Sequence, residues 1–96
     1  MNKALFDTIL KQILDKYQIS KQELYEPTKM PDVVNARYLL YYICSRKDIS
    51  TSRIRRLLKD DGYKTTYTSV LRGIKAMEKR ILEDKDYLKF INSIQS

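Results

Sequence analysis

Only two glycines and two prolines occur in the 96 residues, so the chain has few places for a tight turn. Hairpin loops draw on residues that tolerate positive φ, which disfavours a sheet-rich fold and leaves helices to carry the chain. The apolar pattern agrees. Leu5, Phe6, Ile9, Leu10, Ile13, Leu14 and Tyr17 recur at three- and four-residue spacing, with Asp7, Lys11, Gln12, Asp15 and Lys16 on the other face. That spacing predicts an amphipathic helix over residues 3–17.

Ser20 followed by Glu23 forms a capping box, in which the hydroxyl accepts from an early backbone N–H and the carboxylate reaches back. A short helix over 21–25 follows, stopped by Pro27, which disfavours helical geometry at Glu26. Residues 28–32 read as a loop with Lys29 as its only base. Pro31 or Asp32 opens a third helix, about 33–46, since a proline at a helix start forfeits no hydrogen bond and Asp32 complements the helix dipole. Val33, Val34, Ala36, Leu39, Leu40, Ile43, Cys44 and three tyrosines make it apolar on nearly every side, which places it mid-bundle. Cys44 reads as a small core residue.

Ser50 or Thr51 caps a fourth helix reaching Leu58, with Ile54, Leu57 and Leu58 inward and Arg53, Arg55, Arg56 and Lys59 largely outward. Asp60-Asp61-Gly62 ends it, Gly62 supplying a left-handed residue. A fifth helix starts at Thr65 or Thr66 and runs to Glu83, with Val70, Leu71, Ile74, Met77 and Ile81 on its core face. Asp84 begins a last short helix carrying Tyr87, Leu88, Ile91 and Ile94 on one side. The expectation is a single all-α domain of about six helices spanning residues 1–96.

Composition narrows the chemistry. With no histidine and one cysteine, metal, cofactor and nucleophile chemistry lose their usual residues, and no intramolecular disulfide can form. The longest apolar run, residues 38–44, is far short of the ~20 needed to span a bilayer. The N-terminus lacks a signal peptide's apolar centre, so a cytoplasmic protein without catalytic or metal-binding residues is expected. Asp60-Asp61 and the Glu83, Asp84, Asp86 cluster offer a nuclease-like Mg²⁺ alternative, but both sit where acids stop and cap helices.

The net charge of +7 is concentrated. From Arg53 to Arg80 there are nine bases and three acids, and this stretch is laid out as a capped helix, a Gly-containing turn and a longer helix. One reading is a solvated basic surface. The other is a helix–turn–helix over about residues 50–83, whose second helix enters the major groove of double-stranded DNA. That helix opens with Thr65, Thr66, Tyr67, Thr68 and Ser69, then Arg72. Hydroxyls can meet phosphates or base edges, threonine methyls can meet thymine methyls, and Arg72 can fork onto a guanine. One residue suffices for a cap, so five hydroxyl-bearing residues favour the second reading. Arg53, Arg55 and Arg56 would then touch phosphates, with surface ion pairs to Asp60 and Asp61 as the alternative.

Residues 5–96 resemble the C-terminal DNA-binding domain of the bacterial replication initiator DnaA, a helical fold related to the Trp repressor. The resemblance runs through Tyr17-Gln18-Ile19-Ser20-Lys21-Gln22-Glu23-Leu24 and through Val34-Asn35-Ala36-Arg37-Tyr38-Leu39-Leu40-Tyr41, which is similar to the family's A-R-x-x-A-M-Y-L. The family's D-H-T-T-V signature reads Thr66-Tyr67-Thr68-Ser69-Val70 here, with Thr68 and Ser69 at the paired threonines and Thr66-Tyr67 in place of the Asp-His pair. The resemblance implies sequence-specific duplex binding in replication or transcription control, without the initiator's ATPase. It also implies a minor-groove role for Arg37, the alternative being an exposed helix charge pairing with Asp32 or a neighbour, and a basic-loop role for Lys29. The turn from Lys59 to Thr65, which contains Lys64, departs from the family in being a few residues longer, long enough to form a small wing. The rival expectation is a protein-interaction module repurposed from this fold to bind a replication or transcription protein.

Overall fold

The computed structural model describes residues 2–94; Met1, Gln95 and Ser96, which belong to the single domain expected from sequence, lie outside the described residues. Six helices follow one another: α1 Lys3–Tyr17, α2 Lys21–Leu24, α3 Pro31–Arg46, α4 Thr51–Asp60, α5 Tyr67–Glu83 and α6 Asp86–Ser93. Among the described residues no helix is long and apolar enough to cross a membrane.

The core follows the sequence periodicity. Phe6, Ile9, Leu10 and Ile13 form the buried stripe of α1, and Val70, Gly73, Ile74, Met77 and Ile81 that of α5. Helix α3, apolar almost all round, packs against α1, α2, α4 and α5 and is the central helix. Leu39, Leu40, Ile43 and Cys44 of α3 are fully buried. Each large aliphatic buried in this way contributes roughly 1.5–3 kcal/mol. Burial pushes the Cys44 thiol up to about 12, so it stays protonated and inert. Helices α3 and α5 cross closely at Gly73. A Cβ at Gly73 would lie 2.7 Å from the Tyr41 ring and 2.8 Å from the Tyr38 ring, so only glycine fits this crossing.

Three helices end by one device. Gln18, Asp48 and Gly62 adopt positive φ of 55°, 65° and 97°. In each case the next residue donates its N–H back across the last turn: Ile19 to Leu14, Ile49 to Cys44 and Tyr63 to Leu58. This satisfies terminal carbonyls and turns an apolar residue inward. Glycine serves only the third; at the first two the ordinary residues Gln18 and Asp48 occupy the left-handed region, which costs roughly 1–2 kcal/mol each.

The third turn carries the chain inward rather than outward. The Tyr63 ring stacks on Tyr25 of the α2 C-cap, with centroids 5.0 Å apart and planes 14° from parallel. The wing expected after α4 is therefore absent. The aromatic residue in the middle of the loop has an apolar surface to cover, and it folds onto the body.

Asp61 anchors the same corner. Its carboxylate accepts from Tyr25 Oη at 2.7 Å and Lys21 Nζ at 3.1 Å, with Lys3 Nζ at 4.0 Å. It pairs with none of the α4 arginines. Burial alone would raise this carboxyl, but the hydrogen bonds from Tyr25 and Lys21 and the charges of Lys21 and Lys3 hold it below the usual carboxylate value. A depressed folded value means that the stabilisation is present above the unfolded pKa, and is lost as pH falls through the unfolded and then the folded value. Asp61→Asn is therefore expected to lower the thermal midpoint at neutral pH. The gap to wild type should close as pH is taken below about 4. Midpoints followed by circular dichroism across this range check it; a gap independent of pH would contradict the assignment.

Candidate nucleic-acid interface

Helices α4 and α5 pack on one another and are joined by residues 61–66. The α4 start is fixed by Ser50, whose hydroxyl accepts from the Arg53 N–H at 3.2 Å. The α5 start is fixed by Thr66, whose hydroxyl accepts from the Ser69 N–H at 3.0 Å and donates to Ser69 Oγ at 2.9 Å. The hydroxyl cluster thus divides. Thr66 and Ser69 serve each other and the cap, whereas Tyr67 and Thr68 are exposed without a hydrogen-bond partner among the described residues. Tyr67 is 49% exposed, a large aromatic held in solvent at the first turn of a helix.

Arg55, Lys59, Lys64 and Thr65 line one cleft of about 340 Å³, and Ser52, Arg55, Arg56, Lys59 and Asp60 line an adjoining groove of about 410 Å³. Arg55 and Lys59, one helical turn apart, wall both. Among the described residues neither these cations nor Arg53, Lys64, Arg72, Lys75 and Lys79 form an ion pair. Like charges one turn apart repel by a few tenths of a kcal/mol, so the cleft holds a small electrostatic cost that an anion relieves.

Two expected bases are placed elsewhere. Arg37 does not pair with Asp32. Its Nε donates to the Leu24 carbonyl at 2.8 Å and its Nη2 to the carbonyls of Glu26 and Thr28 at 2.9 and 3.2 Å. Its Nη1 donates to Tyr63 Oη at 3.3 Å, and the guanidinium lies over the Tyr63 ring. Arg37 is thus a staple holding the α2–α3 loop and the α4–α5 loop to α3, with most of its donors already engaged. Arg80, counted in the basic stretch, turns inward as well. It donates to Asn35 Oδ1 at 2.7 Å, while Asn35 Nδ2 donates to Tyr17 Oη and Tyr87 Oη at 2.7 and 2.8 Å. This hub joins α1, α3, α5 and α6. Burial, followed by the proximity of Tyr87, pushes the Tyr17 phenol up to about 12.

Lys29 is exposed on a different groove, about 480 Å³, shared with Pro31, Asp32, Val34, Asn35, Arg80 and Tyr87. It does not converge with the α4 cleft. Among the described residues no three His, Cys, Asp or Glu side chains are grouped to hold a metal ion.

The sequence reading left Lys59 out of the candidate contact residues, although its position four residues after Arg55 on one helix face was sufficient to include it. It also missed a slot of about 170 Å³ between α3 and the start of α5, lined by Tyr38, Tyr41, Tyr63, Thr65, Ser69, Arg72 and the Arg37 staple. No local pattern joins residues so far apart in the chain. No family model, curated protein or solved structure matches this chain.

Proposed function

We propose that the chain is a double-stranded DNA-binding domain in which α4 and α5 act as a helix–turn–helix. In this reading α4 crosses the phosphate backbone, and the start of α5, with Tyr67, Thr68 and Arg72, enters the major groove. Arg55, Lys59 and Lys64 neutralise phosphates, and the exposed hydroxyls and Arg72 meet base edges. The chain is then a diverged relative of the initiator's DNA-binding domain, acting in replication or transcription control. The observation that carries this reading is the cleft of Arg55, Lys59 and Lys64, which form no ion pair among the described residues and which adjoin the entry to α5 through Thr65.

A protein-docking role is favoured by a different observation. Leu82 is 85% exposed and Leu88 41% exposed, near the C-terminal end of the chain. Salt separates the two readings. Titrating fluorescent duplex DNA with the wild-type protein at several salt concentrations should give an affinity that falls linearly on a log–log plot, as phosphate neutralisation requires. Failure to bind duplex at low salt would overturn the DNA reading.

A further inference from the structure

We propose that the slot between α3 and the start of α5 holds one unpaired nucleobase, so that the protein prefers duplex DNA interrupted by an extrahelical nucleotide. This rests on the DNA reading above and adds the form of the substrate.

The slot has the size and lining for a single planar ring. Its volume of about 170 Å³ is below the roughly 300 Å³ at which drug-sized pockets begin. Two of its tyrosines are held in place before any ligand arrives. Tyr63 is fixed by its stack on Tyr25 and by the Arg37 guanidinium. Tyr38 lies under the Arg80 guanidinium, 5.3 Å from its ring centroid, and against Tyr41, at 6.4 Å and 43°. Tyr41 is 2% exposed and closes the slot toward the core. Immobilised aromatic rings are the stacking surfaces on which single-stranded bases bind, and every base offers a π-face to them. Thr65, Ser69 and the exposed Arg72 supply polar groups for a base edge.

Position links the slot to the phosphate cleft. Thr65 lines both. A strand whose phosphates run along Arg55, Lys59 and Lys64 therefore reaches the slot within the next nucleotide or so. A base inside an intact duplex is stacked on both faces and cannot enter, whereas an extrahelical base has already given up that stacking.

The test compares three duplexes of one sequence: intact, with a single bulged 2-aminopurine nucleotide, and with a bulged abasic nucleotide. Anisotropy titrations should show the wild type binding the 2-aminopurine bulge at least about fivefold more tightly than intact duplex, the lower end of what one stacked base contributes. The abasic bulge should give no such gain, and 2-aminopurine emission should fall on binding as the base stacks. Tyr38→Leu should erase the gain while keeping the wild-type affinity for intact duplex. Should that variant not fold, the emission change and the abasic comparison in the wild type decide alone. Equal affinity for intact and 2-aminopurine duplexes with unchanged emission overturns the slot assignment and leaves the duplex reading standing. An equal gain from the abasic bulge overturns it too, since the bend and not the base would then be recognised. Absence of binding to all three overturns both.

Discussion

Replacing Arg55, Lys59 and Lys64 together by alanine is expected to remove most duplex-DNA affinity while leaving the fold intact. The three side chains share one cleft, form no ion pair among the described residues, and belong to a helix face and a loop that are not part of the buried core. Each phosphate contact contributes about 0.9 to the slope of log affinity against log salt, so the slope should flatten by about 2.7 in the triple variant. Thermal midpoint should hold or rise slightly, since like charges are being separated. The comparison that gives this result its meaning is Lys11, Lys85 and Lys89 changed together to alanine. These are exposed bases on α1 and α6 and in the turn before α6, and they remove the same net charge. An equal loss from that control would replace a defined interface with a diffuse one.

The second large effect concerns the frame that carries the cleft. In an ordinary helix interior, exchanging glycine for alanine stabilises by about 1 kcal/mol. Gly73→Ala is expected to do the opposite and lower the thermal midpoint by up to about 15 °C, from an overpacking cost near the upper end of roughly 1–3 kcal/mol, offset by about 1 kcal/mol of propensity. The added methyl meets two rings at once, and both rings are held by their neighbours. Tyr41 is buried in the core, and Tyr38 is held between Tyr41 and the Arg80 guanidinium. Relief comes from α3 and α5 separating or from the rings shifting toward the slot they line, and either change reshapes that slot. Calorimetry or circular dichroism reads the shift. A midpoint equal to or above wild type would mean that the crossing adapts without loss.

The helices were legible because their signals are local. The capping box at Ser20 and Glu23, the serine at position 50 and Thr66 each act within three residues, and each is found with its hydrogen bond made. The inward faces of α1 and α5 follow from spacing alone, with Leu5, Leu14, Tyr17 and Leu71 half-buried at their margins. Gly73 showed no such signal, since its importance lies in tyrosines more than thirty residues earlier. The same limit hid the polar contacts. Asp61 looked like a partner for nearby arginines but is bound by Lys21 and Tyr25, and Arg37 looked like a surface charge but clasps loops on both sides of it. In a basic chain most cations are interchangeable on paper; which of them turn inward depends on where carbonyls and hydroxyls are left unpaired by the packing of other helices.

The Arg37 staple bears on how quickly such a protein finds its target. Residues 61–66 connect the two helices proposed to contact DNA, and Tyr63 within them is stacked on Tyr25 and bonded to Arg37. If this chain binds DNA as proposed, the connection is ordered beforehand and encounter would require no folding of this loop. Association would then proceed at a rate set by charge attraction and orientation, without the slowing that a conformational change imposes. Affinity gained or lost through this loop would be expressed chiefly in how long the complex lasts.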